Sequence, residues 1–240
     1  MLVVALLAAC KSAESKPLVV FAASSLTEAF ADIEREFEAD HAGVDVVIST
    51  AGSQALRLQL EQGAAADVFA SANAEHIDAL HESGIVEKPT AFTSNALVIA
   101  VPSDNPAGIA SFADLPKAER IVLGGESVPV GIYTQELLER ADDDLAASVL
   151  ARVVSREANV RLVVAKVELG EADAAIVYRS DIAAARDVHS IAIPEELSPT
   201  VEYFVAAIRT AAQPELARAF VDHLGSERGR TTLSRHGFGP

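Results

Sequence analysis

The chain has 240 residues, half of them hydrophobic, enough for one large domain or for two small lobes each with its own core. Its formal net charge of −16 argues against nucleic acid and against adhesion to anionic lipid through a basic patch, since phosphates would be repelled. No apolar run approaches the roughly 18 residues needed to span a bilayer, and a single cysteine allows no intrachain disulfide.

In chain order, the first element is the apolar opening MLVVALLAAC, which ends in Leu7-Ala8-Ala9-Cys10 and is followed by the polar KSAESKP. Small residues before a cleavage point suit a signal peptidase. The run resembles the lipobox of bacterial lipoproteins, in which the cysteine is lipidated and becomes the new N-terminus. That resemblance implies a signal peptide over residues 1–9, lipidation at Cys10 and a polar tether over 10–16. The absence of Lys or Arg before the apolar run departs from the pattern, and a buried thiol behind an accidental apolar N-terminus is the alternative.

Strand and helix signals then alternate. Strand-like runs cover 18–22, 44–49, 66–70, 96–102, 120–123, 174–178, 188–193 and 201–208. Helical periodicity covers 26–40, 54–62, 74–83, 132–141, 160–168 and 214–224, with more helix up to 236. Such alternation predicts parallel sheets flanked by helices, an α/β fold. In open α/β sheets ligands bind beyond the carboxyl ends of strands, where helix N-termini converge.

Four junctions of that kind are rich in neutral donors. In FAASSLTEAF, Ser24 and Ser25 stand between a strand and a helix with apolar residues at Leu26, Phe30, Ile33 and Phe37. A helix start has unpaired N–H groups and a positive dipole end, so a serine there is either an ordinary cap or part of an anion site. In STAGSQAL, Gly52 permits a sharp turn and close approach, and Ser53 opens a helix. In GGESVPVGIY, Pro129 suits the first helical turn. In SREANVRLVV, Asn159 can cap the helix opened by Val160, and Tyr178 ends the following strand. Caps and turns occur in any α/β protein, but four neutral, donor-rich junctions in a strongly acidic chain carry more weight.

FAASSLTEAF, AGSQAL, GAAADVFASAN, ESVPVGIY, ANVR, AAIVYRSD and a terminal RHGF occur in an order and spacing that resemble the molybdate-binding proteins of bacterial ABC importers, within the type II periplasmic solute-binding superfamily. The resemblance runs from about Pro17 to Phe238. It implies a two-lobe fold, each lobe a mixed, mainly parallel sheet flanked by helices, with the ligand in the cleft between lobes. Residues 17–94 plus 207–240 would form lobe 1, and 95–206, including crossing strands at 96–102 and 201–208, lobe 2. It also implies the oxyanion ligands: the hydroxyls of Ser25, Ser53 and Tyr178 and the backbone N–H groups of Val130 and Val160. Some members carry alanine where this chain has Val130, which keeps the N–H and changes the pocket wall. The implied role is capture of molybdate and tungstate for an ABC permease by an extracytoplasmic, lipid-anchored monomer that performs no covalent chemistry, needs no cofactor and binds no free metal cation.

The chemistry of the donors agrees with such a ligand. All five are neutral donors, and a dianion is held well by charge-assisted hydrogen bonds in a water-poor cleft. Phosphate near neutral pH keeps a proton that needs an acceptor, whereas molybdate, tungstate and sulfate do not. The main competing reading is a binder of sulfate, thiosulfate or another oxyanion, and a sensor role alongside transport stays open. A ferric-ion binder using Tyr178 and Tyr203, and a serine hydrolase using His41, His76, His81, His189, His223 or His236 as base, are weaker: there is no His–Tyr–Tyr cluster and no G-x-S-x-G elbow.

Overall fold

The computed structural model describes residues 16–239. The expected signal peptide and Cys10 lie outside them.

The run Leu18-Val19-Val20-Phe21 becomes β1 (Leu18–Ala23), buried at every position except the half-buried Val19. A strand apolar on both faces belongs inside a sheet covered on both sides. β1 accordingly runs parallel to β2 (Val46–Ala51) on one side and β3 (Val68–Ser71) on the other. β10 (Val201–Ala207) pairs antiparallel with β3 and with β4 (Thr90–Asn95), giving the order β2-β1-β3-β10-β4. The second sheet is built in the same way around β8 (Ala174–Tyr178), whose five residues are all buried. β8 is parallel to β6 (Ile121–Gly124), which pairs with β7 (Val153–Glu157), and antiparallel to β5 (Leu97–Pro102), which pairs with β9 (Val188–Ala192). The order is β7-β6-β8-β5-β9.

Among the described residues the chain thus forms two five-stranded mixed sheets, one per lobe. Each has a parallel half, as the strand–helix alternation predicts, and an antiparallel half contributed by strands at the crossings. Only Ala96 separates β4 in the first sheet from β5 in the second, and the return runs from β9 to β10. The boundary expected from sequence therefore needs correction. Residues 201–206 were expected in lobe 2 with both crossing strands, but β10 lies between β3 and β4 and belongs to the first sheet. Its buried Val201, Tyr203 and Val205 complete that lobe's core.

Helices cover the first sheet: α1 (Thr27–Asp40), α2 (Ser53–Glu61), α3 (Ala74–Glu82) and, from the end of the chain, α8 (Pro214–Gly225) and α9 (Glu227–Arg235). α1 buries Ala29, Phe30, Ile33 and Phe37, the helical stripe visible in the sequence. Phe220 on α8 meets Phe30 and Phe37 edge-on, with ring centroids 6.0 and 5.2 Å away. Around the second sheet lie α4 (Pro129–Arg140), α5 (Asp143–Leu150), α6 (Val160–Glu168) and the short α7 (Arg179–Ala184).

β4, β7, α5 and α7 were not expected. β7 alternates half-buried and exposed positions, β4 buries only Phe92 and Asn95, and both lie at sheet edges without an apolar run. α5 rests on its cap, the Asp142 carboxylate accepting the N–H groups of Asp144 and Leu145, more than on an apolar stripe. Replacing Phe220, which is fully buried, by alanine is expected to lower unfolding stability by about 3–5 kcal/mol, the range for emptying an aromatic core site, read by chemical denaturation.

Candidate functional site

One narrow cavity between the lobes is lined by Ser24 and Ser25, by Gly52 and Ser53, by Ala72, by Val128, Pro129 and Val130, by Asn159 and Val160, and by Tyr178. Its cavity volume is about 10 Å³, a tight space. The residues expected from sequence, Ser25, Ser53, Val130, Val160 and Tyr178, all lie in this wall. No carboxylate and no cationic side chain lines it.

Each lining residue is placed by the end of a strand. β1 runs out into a single 3-10 turn, Ser24–Leu26, that leads into α1. β2 gives way to α2 through Gly52, β6 to α4 through residues 125–128, and β7 to α6 through 158–159. Val130 is the second residue of α4 after Pro129, and Val160 the first of α6, so neither N–H has a carbonyl one turn back to bond. Asn159 spends its side-chain oxygen on Leu162 N–H at 3.1 Å, leaving the earlier N–H groups for the cleft. Gly131 lets the start of α4 settle against the end of β6, where a Cβ would collide with the carbonyls of Gly124 and Gly125. Gly52 has an ordinary φ of −62°, so the turn does not require glycine. What requires it is space: a Cβ there would come within 2.6 Å of the Ala158 carbonyl and of the Gln54 amide nitrogen.

The hydroxyls are oriented by what they receive. Ser53 Oγ accepts the N–H of Ala72 at 3.1 Å, which leaves its own hydrogen for the cleft. Ser25 Oγ lies 2.9 Å from Tyr203 Oη, and Tyr203 Oη accepts from Asn95 Nδ2 at 3.4 Å. With Asn95 donating, Tyr203 O–H can donate to Ser25, and Ser25 O–H then turns to the cavity. Tyr178 Oη is buried and has no hydrogen-bond partner among the described residues, although it borders the cavity. A buried hydroxyl left unmatched costs on the order of 1–3 kcal/mol, which a ligand oxygen would recover.

Tyr203 is a residue of the cavity's surroundings that sequence reasoning missed. It was weighed only as a ferric ligand, and its position on a crossing strand counted against a role. The available signal was a tyrosine in the inward-facing row Val201-Tyr203-Val205, whose hydroxyl needs a partner once buried. Tyr203 and Tyr178 rings are 5.9 Å apart, and Tyr133 lies 6.5 Å from Tyr178. Burial pushes the Tyr178 and Tyr203 hydroxyls well above their ordinary range and that of Tyr133 up to about 12, so all three remain neutral donors. That suits an anion and not a cation, and among the described residues no group of three His, Cys, Asp or Glu side chains is placed to hold a metal ion.

Two arginines border the site. Arg161, next to Val160, pairs with Glu28 on α1 across the cleft. Arg179 donates to the carbonyls of Gly237, at 3.1 Å, and Gly239, tying the second lobe to the end of the chain.

A match to the family model of bacterial extracellular solute-binding proteins covers residues 18–239. The chain belongs to that family. It is 39% identical over 227 residues to the molybdate-binding protein ModA of Mycobacterium tuberculosis, covering 93% of this chain and 85% of that one. The periplasmic molybdate-binding protein of Azotobacter vinelandii superposes with a TM-score of 0.79 at 19% identity, over 93% and 99% of the two chains. The sulfate-binding protein SubI of M. tuberculosis superposes with a TM-score of 0.84 at 18% identity, over 94% and 87%. Both solved structures show the two-lobe fold that this family member shares.

Behind Tyr178, Asp181 is 1% exposed and its Oδ2 accepts the Tyr178 N–H at 3.0 Å. Burial pushes its carboxyl up to about 7, against the opposing pull of that hydrogen bond and of Arg161. The folded value lies above the ordinary 3.8, so ionisation opposes folding, and stability is lost as pH rises from about 4 through 7. Asp181→Asn keeps an acceptor and removes the charge. It is expected to unfold with more free energy than the parent at pH 8, on the order of 3–4 kcal/mol, with the difference shrinking toward pH 4, read from urea titrations across that range.

Proposed function

We propose that this solute-binding protein captures molybdate, and tungstate with it, in the cleft between its lobes and delivers the anion to an ABC permease. The observation that carries the reading is the donor set. Hydroxyls of Ser25, Ser53 and Tyr178 and the helix-start N–H groups of Val130 and Val160 surround one small cavity without a charged lining residue. The 39% identical relative named as molybdate-binding points the same way. An all-donor cavity suits a fully deprotonated tetrahedral dianion and disfavours hydrogen phosphate, whose proton would be buried without an acceptor.

The chain acts as a binder and not as a catalyst. Ser25 and Ser53 are engaged with Tyr203 and with the Ala72 N–H, and neither hydroxyl is bonded to a histidine as a nucleophile would be. Lipidation at Cys10 would hold the protein outside the cytoplasm at the membrane surface as a monomer, within reach of the permease.

Calorimetric titration of molybdate, tungstate, sulfate and phosphate onto the chain from Lys11 tests the reading. Molybdate and tungstate are expected to bind most tightly, and a preference for sulfate or phosphate overturns it. Ser25→Ala and Ser53→Ala are each expected to weaken the bound oxyanion by about 1.5–3 kcal/mol, the worth of a hydrogen bond to a charged group. Unchanged affinity in both would reduce the serines to helix caps.

Salt separates neutral donors from cationic steering. The chain carries −16 and its site no charge, so the long-range field repels a dianion while attraction is confined to the cleft. Stopped-flow association of molybdate is expected to be unchanged or slightly faster as chloride rises. A rate falling steeply with salt would assign capture to arginines instead.

A further inference from the structure

Two neutral side chains of the first lobe reach across the cleft, and each takes hold of a backbone carbonyl just ahead of a ligand donor of the second lobe. Gln54 Nε2 donates to Ala158 O at 2.7 Å, two residues before Val160. His76 Nε2 lies 2.9 Å from Ser127 O, three residues before Val130. A carbonyl only accepts, so the ring carries its hydrogen on Nε2, and the buried Nδ1 has no partner among the described residues. Gln54 directly follows Ser53, and the space it uses is the space that Gly52 leaves empty. Gln54, His76 and Ser127 line one further shallow pocket with Arg57, Leu58, Glu61 and Glu75.

The sheet orders give these contacts their meaning. The chain crosses between lobes at β4–β5 and at β9–β10. β2, which leads to Gln54, is the edge strand farthest from β4, and β7, which leads to Ala158, is the edge strand on the β6 side, away from β5 and β9. The Gln54–Ala158 contact therefore joins the parts of the two sheets most remote from the crossings, and His76–Ser127 joins the elements that follow β3 and β6.

We propose that Gln54 and His76 are positioning residues that clasp the lobes shut and bring the N–H groups of Val130 and Val160 onto the bound oxyanion, with the His76 clasp released by acid. The proposal rests on the cleft being an oxyanion site and is indifferent to which oxyanion it holds. In the closed form burial holds the His76 ring below its usual value. The bond to the Ser127 carbonyl, Glu75 on its own helix and Glu61 on α2 favour the charged ring and Arg57 on α2 opposes it, and burial outweighs the bond and the two acids. β10, also packed on α3, carries Glu202 and Tyr203, β3 carries no ionisable side chain, and the facing loop of the second lobe carries Glu126 beside Ser127. Protonation would place a second N–H at Nδ1 with nothing to receive it. Closure is then favoured above the ordinary histidine range and lost as pH falls through it.

The test measures release of radiolabelled molybdate, tungstate, sulfate and phosphate from the parent, Gln54→Ala, His76→Ala and His76→Gln, between pH 7.5 and 5.5. The rates compared are those of whichever anion the parent holds most tightly. At pH 7.5 Gln54→Ala and His76→Ala are expected to release it about five- to tenfold faster, the worth of one hydrogen bond. His76→Gln, which still offers an Nε2 donor, stays near the parent. Acid is expected to speed release from the parent more than from His76→Gln, while the ligand-free melting temperatures of all four agree. Parental release rates in both alanine variants, or an undiminished acid effect in His76→Gln, overturn the proposal. Tightest retention of phosphate overturns the molybdate reading and leaves the clasp to be judged on phosphate.

Discussion

The site depends on the direction of a hydrogen bond. A serine hydroxyl can give or take, and only a giving hydroxyl is useful to an anion. Tyr203 can settle the matter for Ser25 by donating to its oxygen, and the Ala72 N–H occupies the oxygen of Ser53. Asn95 stands behind Tyr203, at the last residue of β4, and its Nδ2 also donates to Ser180 in the second lobe at 2.8 Å. The group that orients the binding serine thus belongs to the crossing between lobes, so the polarity of the pocket and the pivot of the molecule share one buried network. Such networks are costly when incomplete and rigid when satisfied.

The electrostatics follow from the same economy. A chain this acidic has no field to draw in a dianion, and the cationic groups nearest the cleft are spent elsewhere, Arg161 on Glu28 and Arg179 on the carbonyls of Gly237 and Gly239. Attraction is left to partial charges at helix starts and to hydroxyls kept neutral by burial. Such a site distinguishes anions by whether they bring a proton, a property that a cluster of arginines reads poorly. Asp181, held up to about 7 by burial, keeps much of its charge suppressed near neutral pH, next to where a second negative group would be least welcome.

Most of the fold was legible because its elements are apolar in a regular way. β1 and β8 are continuous hydrophobic runs, and α1 shows its stripe at Phe30, Ile33 and Phe37. β4 and β7 were not legible, since an edge strand with one solvated face has no run to display. The five residues expected as ligands were picked out through the ordered junction motifs and stand around one cavity. Tyr203, Gln54 and His76 were not found. Their significance lies in partners 178, 104 and 51 positions away, and no local pattern encodes contacts so distant in sequence, those of Gln54 and His76 being made only where the two lobes meet.

The placement of the crossings at one side of the sheets and of the Gln54 contact at the other makes the molecule a lever. β2 stands four strands from β4 in the first sheet, which is about 19 Å at ordinary strand spacing. Ser25, at the end of β1, lies between the fulcrum and that rim. An anion too large for the cleft would prop the lobes apart by less at the serines than at Gln54, where a hydrogen bond of 2.7 Å would be drawn toward the long, weak end of its range. Ionic radius would thereby be magnified before it is read, and discrimination by size would fall to contacts that never touch the ion.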